Sequence, residues 1–155
     1  MQELMRGKRG LIMGVANQRS IAWGIAKACA DAGAELAVTY QGEALERRVR
    51  PLAESVNADI VLPCDVTNAA SMDAVFDTLA RDWGKLDFVV HAIAFADKDE
   101  LTGRYVDASP ERFQMSLNIS WFSFTAVAHR AEKLMTDGGS LVTLSQYGAE
   151  QVIPH

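Results

Sequence analysis

The sequence predicts an α/β chain built on a doubly wound parallel sheet, and three observations carry that prediction. Short apolar runs alternate with amphipathic segments of helical period from residue 8 onward. The apolar runs, Leu86 to Ile93 above all, are nearly continuous, as strands covered on both faces should be. A chain of 155 residues, 49% of them hydrophobic, is long enough to bury one sizeable core without a disulfide or metal to hold it.

The elements follow in order. Lys8 to Gly14 is a short apolar run ending in glycine, the first strand. Ser20 to Ala32 places Ile21, Ile25, Ala28 and Cys29 at helical spacing, with Gly33 positioned to close the helix. Glu35 to Tyr40 is a second strand. Glu43 to Val56 is amphipathic, with Leu45, Val49, Leu52 and Val56 on one side, and Pro51 inside it predicts a kink or a break. Asp59 to Asp65 is a third strand, and Ala69 to Trp83 a helix presenting Met72, Val75, Phe76 and Leu79. Leu86 to Ile93 is the fourth strand. A polar loop from Ala96 to Ser109 leads through Pro110, at a first helical position, into a long helix reaching about Met135. Asp137-Gly-Gly-Ser then opens a fifth strand, Leu141 to Ser145.

Strands alternating with helices in this way predict parallel pairing with right-handed crossovers. In the order 3-2-1-4-5 the fifth strand lies at an open edge, apolar and unpaired. Fifteen basic against twenty acidic residues leave a net charge of −5, which points to neither nucleic acid nor an anionic membrane surface. Phe88 to Ala96, the longest uncharged apolar stretch, is half the length of a membrane span, and no apolar signal core follows Met1. Cys29 and Cys64 show no metal-ligand spacing and read as small buried hydrophobes of a reducing compartment. The expectation is a cytoplasmic protein.

The candidate site residues stand at strand ends. The first strand-to-helix turn reads Gly14-x5-Ser20-Ile21-x2-Gly24, where such a sheet binds phosphate at a helix mouth. Gly14 lets the backbone turn sharply, and Gly24 is expected to permit close packing of helix on strand. Ser20 reads either as a phosphate ligand, together with the amides around Ile21, or as an ordinary helix cap. The second strand ends Thr39-Tyr40-Gln41-Gly42 with no carboxylate, so Gln41 is the candidate for a neutral bond to a ribose hydroxyl, which favours NADH over NADPH. Asp65, beside Val66, suits either an adenine amino group or a helix start. Small residues after His91 leave room for a flat ligand, and His91 itself reads as a hydrogen-bonded structural histidine. His129 is expected to face solvent.

Together, Gly14-x5-Ser20-Ile21-Ala22-x-Gly24, Thr39-Tyr40-Gln41, Cys64-Asp65-Val66, His91-Ala92-Ile93-Ala94-Phe95-Ala96, and Gly148-Ala149-Glu150 with Ile153-Pro154 resemble bacterial NADH-dependent enoyl-[acyl-carrier-protein] reductase, a divergent branch of the short-chain dehydrogenases. The resemblance implies a Rossmann fold, a homotetramer, and reduction of a trans-2-enoyl thioester on acyl carrier protein in fatty-acid elongation. It implies cofactor contacts at Gly14, Ser20, Ile21, Gln41, Asp65, Val66 and Ile93, and a substrate contact at Ala96. The family's principal tyrosine would follow His155 directly, with its lysine seven residues further on. Its other active-site tyrosine falls at Gln146, so Tyr147 is the candidate to serve in its stead, or else packs near the nicotinamide. Asn118 stands where other short-chain dehydrogenases keep a catalytic asparagine. Residues 1–155 are therefore expected to be the N-terminal part of one dinucleotide-binding domain, cut after the fifth strand: a cofactor half rather than a catalyst.

Two other readings remain open. A carbonyl or alcohol dehydrogenase would normally show T-G-x3-G-x-G and N-A-G, where this chain has Gly14-x5-Ser20 and Ala92-Ile93-Ala94. A non-catalytic nucleotide-binding module would need no tyrosine or lysine.

Overall fold

The computed structural model describes residues 3–152. Five parallel strands, β1 (Arg9–Met13), β2 (Glu35–Tyr40), β3 (Ile60–Pro63), β4 (Phe88–His91) and β5 (Ser140–Thr143), pair in the order β3-β2-β1-β4-β5. The helices are α1 (Ile21–Asp31), α2 (Glu43–Ser55), α3 (Ala69–Asp82), α4 (Pro110–Leu117) and α5 (Ser123–Ala131). The sheet divides the core in two. Leu11, Met13 and Val89 pack with α3 and with Val127 and Ala131 of α5. Ile12, Val38 and Val90 point the other way, onto Trp23 and Ala26 of α1 and Val49 and Ala53 of α2. That two-sided cover is why the central strands read as unbroken apolar runs.

Helix starts follow their caps. Asn68 accepts from the Ser71 amide at the head of α3, and Ser109 accepts from the Arg112 amide ahead of α4, with Pro110 at the first turn. A patch of ions ties the loop before α4 to that helix: Arg112 lies 3.2 to 3.6 Å from carboxylate oxygens of Asp97, Asp99 and Glu100. The loop itself contains two short 3-10 turns, Lys98–Leu101 and Tyr105–Asp107.

Four expectations need correction. The buried face of α1 is Ala22, Trp23 and Ala26, one step round from the predicted stripe, and Ile21 is 67% exposed. The two alanines let the helix approach the sheet while Trp23 fills the space beside them. Of the kink or break expected at Pro51, the break does not occur, and α2 continues through the proline. Both Pro51 and Arg47, whose carbonyl loses its partner, are exposed, so water can take up the lost bond. The long fourth helix is interrupted by a π turn, Asn118–Phe122, and ends at Ala131 rather than near Met135. Gly24 is exposed, with open space where a Cβ would stand, so it is not a point of close packing.

Strands β1, β3 and β4 are shorter than predicted at their ends, and β5 is shifted, opening at Ser140 and closing at Thr143 rather than Ser145. Strand β5 does lie at the edge, and among the described residues it pairs with β4 alone. Ile153-Pro154 and His155, part of the sequence resemblance, lie outside the described residues.

Candidate functional site

A cavity of about 370 Å³ opens at the carboxyl ends of the strands. Gly14, Gln41, Val66 and Ile93, four of the sequence candidates, line it. Its other walls include Tyr40, Cys64, Phe95 and Ile119. No Asp, Glu, Lys, Arg or His is among the lining residues, so the cleft offers flat apolar walls with polar groups at strand ends. Such a surface accepts an aromatic ring system. Any phosphate must be held by backbone amides and a helix end instead of by salt bridges.

Gly14 has φ +99°, a conformation that favours glycine, and a Cβ there would collide with the Ala92 carbonyl. The turn thus lays the end of β1 directly against the end of β4. Beyond it, Asn17 organises the loop: its side chain accepts from the Arg19 amide at 2.7 Å, and its carbonyl accepts from the Ser20 hydroxyl at 2.7 Å. Ser20 occupies the N-cap position of α1, but its side chain makes no capping bond. The first intrahelical bonds run from Trp23 and Gly24 to the Ser20 carbonyl. The amides of Ile21 and Ala22 therefore face out of the helix mouth, where the dipole favours an anion. Ser20 and Ile21 sit beside the cleft and do not line it.

Asp65 follows β3. One of its oxygens, Oδ1, accepts from both the amide (2.8 Å) and the hydroxyl (2.7 Å) of Thr67. Asp65 thus closes a turn on Thr67 ahead of α3, whose cap is Asn68, and it uses a single carboxylate oxygen. Cys64, in the cleft wall, has its thiol pushed up to about 11, chiefly by burial and then by the Asp65 charge. Cys29 is half-buried and its thiol is also raised by burial. Both thiols stay protonated at neutral pH, so neither is a ready nucleophile. Among the described residues no group of His, Cys, Asp and Glu is placed to hold a metal.

A second, wider and more apolar groove of about 910 Å³ lies beyond β4 and is lined by Ala96, Leu101, Leu117, Trp121, Phe124 and Gln146, among others. Ile93, Ala94 and Phe95 line both cavities, so the end of β4 is the partition between them. Gln146 reaches the groove lining, whereas Tyr147 does not and is 65% exposed in a short turn, Tyr147–Ala149. Asn118, at the start of the π turn, is exposed. His129 is exposed beside Glu132.

The wall shared by cleft and groove is pinned by two serines. Ser120 accepts from the Phe95 amide (3.0 Å) and stands 3.1 Å from its carbonyl. Ser123 lies 2.7 Å from His91 Nε2, and His91 Nδ1 is 3.2 Å from the Thr143 hydroxyl. Sequence reasoning placed His91 correctly as a buried, hydrogen-bonded side chain but missed Ile119 and the serines. A helix of ordinary pitch does not announce a π turn, and only the fold brings that turn to β4.

The comparisons with known proteins agree with this fold and point to one family. A model for the family described as enoyl-(acyl carrier protein) reductase matches residues 14–155. Enoyl-[acyl-carrier-protein] reductase [NADH] 1 of Rhizobium meliloti (strain 1021) is 64% identical over 152 residues, 98% of this chain and 56% of that protein. The Anaplasma phagocytophilum reductase, solved in complex with NAD, is 57% identical with a TM-score of 0.96, over 99% of this chain and 59% of the other. The Bacillus cereus enoyl-acyl carrier protein reductase, solved with NADP+ and an indole naphthyridinone, is 51% identical with a TM-score of 0.95, over 97% and 60%. The chain thus spans 56 to 60% of the length of these relatives.

Proposed function

The chain belongs to the enoyl-(acyl carrier protein) reductase family, and from that premise we propose that residues 1–155 are the dinucleotide-binding part of a domain that reduces a trans-2-enoyl thioester on acyl carrier protein with NADH. The observation that carries the cofactor reading is the uncharged cleft at the strand ends, floored by Gly14 and flanked by the uncapped mouth of α1. The fit is physical: a Cβ at Gly14 would fill the turn, and the Ile21 and Ala22 amides face outward where a pyrophosphate needs donors.

In this reading Gly14, Ser20 and Ile21 hold the pyrophosphate. Gln41 bonds a ribose hydroxyl without a charge, which favours NADH. Val66 packs on the adenine, and Asp65 keeps its second oxygen for the adenine amino group, because Thr67 engages only Oδ1. Ile93 contacts the cofactor at the partition, and Ala96 meets the acyl substrate in the apolar groove. When bound, NADH would supply a hydride to the β-carbon of the enoyl thioester, and a hydroxyl donor aimed at the thioester oxygen, where the negative charge would gather, commonly contributes on the order of 3 kcal/mol. Tyr147 is the candidate donor on these residues. A homotetrameric assembly, on the family resemblance, and a cytoplasmic location, on the cysteine usage and the N-terminal sequence, complete the proposal.

The test begins with the intact mass of the purified protein, to fix which chain is assayed. NADH binding, followed by nicotinamide fluorescence, should be at least about tenfold tighter than NADPH binding, and Gly14→Val should weaken it about 100-fold. Equal affinity for the two nucleotides would remove the Gln41 argument. Binding untouched by Gly14→Val would remove the site. Where the mass shows a longer chain that carries the family's principal tyrosine and lysine, NADH oxidation by a trans-2-enoyl thioester should follow, with Tyr147→Phe lowering kcat about tenfold or more; residues 1–155 alone should bind NADH without turnover. Tight NADH binding with no enoyl reduction by that longer chain would favour the carbonyl dehydrogenase or a non-catalytic module.

A further inference from the structure

His91 is completely buried, and both its ring nitrogens are engaged. The bonds around it determine where its proton sits. The Ser123 hydroxyl lies 2.6 Å from the Ile119 carbonyl, which can only accept, so the single hydroxyl hydrogen is committed there. Toward His91 Nε2, 2.7 Å away, the same oxygen must therefore accept, and Nε2 must carry a hydrogen. Nδ1 is then bare and accepts from the Thr143 hydroxyl at 3.2 Å. In this arrangement each of the facing polar atoms of His91, Ser123 and Thr143 has a partner.

The two partners lead to different cavities. Ser123 follows the π turn: its amide reaches back five residues to the Asn118 carbonyl, and its hydroxyl holds Ile119, a wall of the uncharged cleft. Thr143 is the last residue of β5, directly across from His91, and lines the apolar groove with Leu144 and Gln146 just beyond it. Phe124 packs edge-on against the imidazole at 5.6 Å and lines the same groove.

We propose that His91, fixed as the Nε2–H tautomer, is a positioning residue that sets the two cavities independently, the cofactor cleft through Ser123 and the substrate groove through Thr143. The assignment of the cavities rests on the function proposed above. The tautomer and the division of labour do not.

The experiment uses the full-length protein. Long-range proton–nitrogen correlation spectra of the imidazole should show Nε2 protonated and Nδ1 bare, and an Nδ1-protonated ring would overturn the proposal outright. Two variants separate the arms. His91→Gln retains an amide donor that reaches Ser123, whereas the shorter His91→Asn reaches only the Thr143 side. With His91→Gln, NADH affinity should stay within about threefold and KM for the enoyl thioester should rise about tenfold. With His91→Asn the NADH dissociation constant should rise about tenfold while that KM moves little. A loss of kcat alone, or identical effects of the two variants, would mean that His91 is only structural. Should the wild type bind NADH yet reduce no enoyl thioester, the substrate assignment fails, while the spectra and the NADH affinities still decide the role of His91.

Discussion

Strands β1 and β5 carry similar side chains in different surroundings. Leu11, Ile12 and Met13 of β1 are fully buried, with helices over both faces. Leu141 and Val142 of β5 are 39% and 43% exposed, although the register sets them beside Val89 and Val90 of β4, which are buried. An apolar run is enough to form and pair a strand, but burial is supplied by the helices that cover it. The two halves of the carboxyl edge inherit that difference. Around β1 the cleft has rigid walls and a glycine turn. Around β5 the groove is wide and apolar, and what fixes it is a set of buried hydroxyl and imidazole bonds.

The sharpest way to break this comparison is to cut the same side chain on each strand. Leu11→Ala should destabilise the protein by about 2–5 kcal/mol, because a fully buried leucine leaves a cavity. Leu141→Ala should cost under about 1 kcal/mol in a chain of these 155 residues, since its side chain is already partly in water. Urea unfolding of both variants measures the gap. Equal costs would show that something covers β5 in the molecule studied.

Next in size is Gly14→Ala. A positive φ and the collision with the Ala92 carbonyl act together, and strain of this kind costs about 1–3 kcal/mol. The β1 end should loosen from β4, lowering both the unfolding midpoint and NADH affinity. An unchanged midpoint would mean that the turn relaxes freely and that the cleft is less rigid than the β1 surroundings imply.

How much of this was legible in the sequence follows the same division. Helix α3 and strand β2 matched their predicted residues closely, because Met72, Val75, Phe76 and Leu79, or Leu36 to Tyr40, admit one periodic reading. The face of α1 did not, since its alanines satisfy either side of the helix and only the sheet chooses between them. The strand-end positions of Gly14, Gln41, Val66 and Ile93 located the cleft without any structure, because strand ends meet on one edge in this topology. The serine pins were invisible, since their bonds to His91 and Phe95 join residues 25 to 32 positions apart, and Ile119 was hidden with them because only the fold brings its turn to the cleft.

A contrast read in pH instead of substitution concerns the β4–β5 side. Burial holds the His91 imidazole below its ordinary value of 6.5, so the folded protein resists a proton that the unfolded chain accepts. The contribution of His91 to stability is complete above that value and is lost as pH falls below it, toward the folded value. His91→Gln should flatten the slope of stability against pH in this window, whatever its own cost. An unchanged slope would mean that His91 does not titrate differently in the two states.

The smallest effect is a gain. Gly24 lies in the interior of α1, exposed, with nothing within 4 Å of the place a Cβ would occupy. Backbone freedom is lost there on folding with no packing to offset it, so Gly24→Ala should stabilise the chain by about 0.5–1 kcal/mol. NADH affinity should be unchanged, because Gly24 lines neither cavity. A destabilised variant, or one that binds NADH more weakly, would show that some surface approaches this turn of α1 closely enough to exclude a methyl group. The β1 side would then share with β5 a dependence on cover that the described residues do not themselves provide.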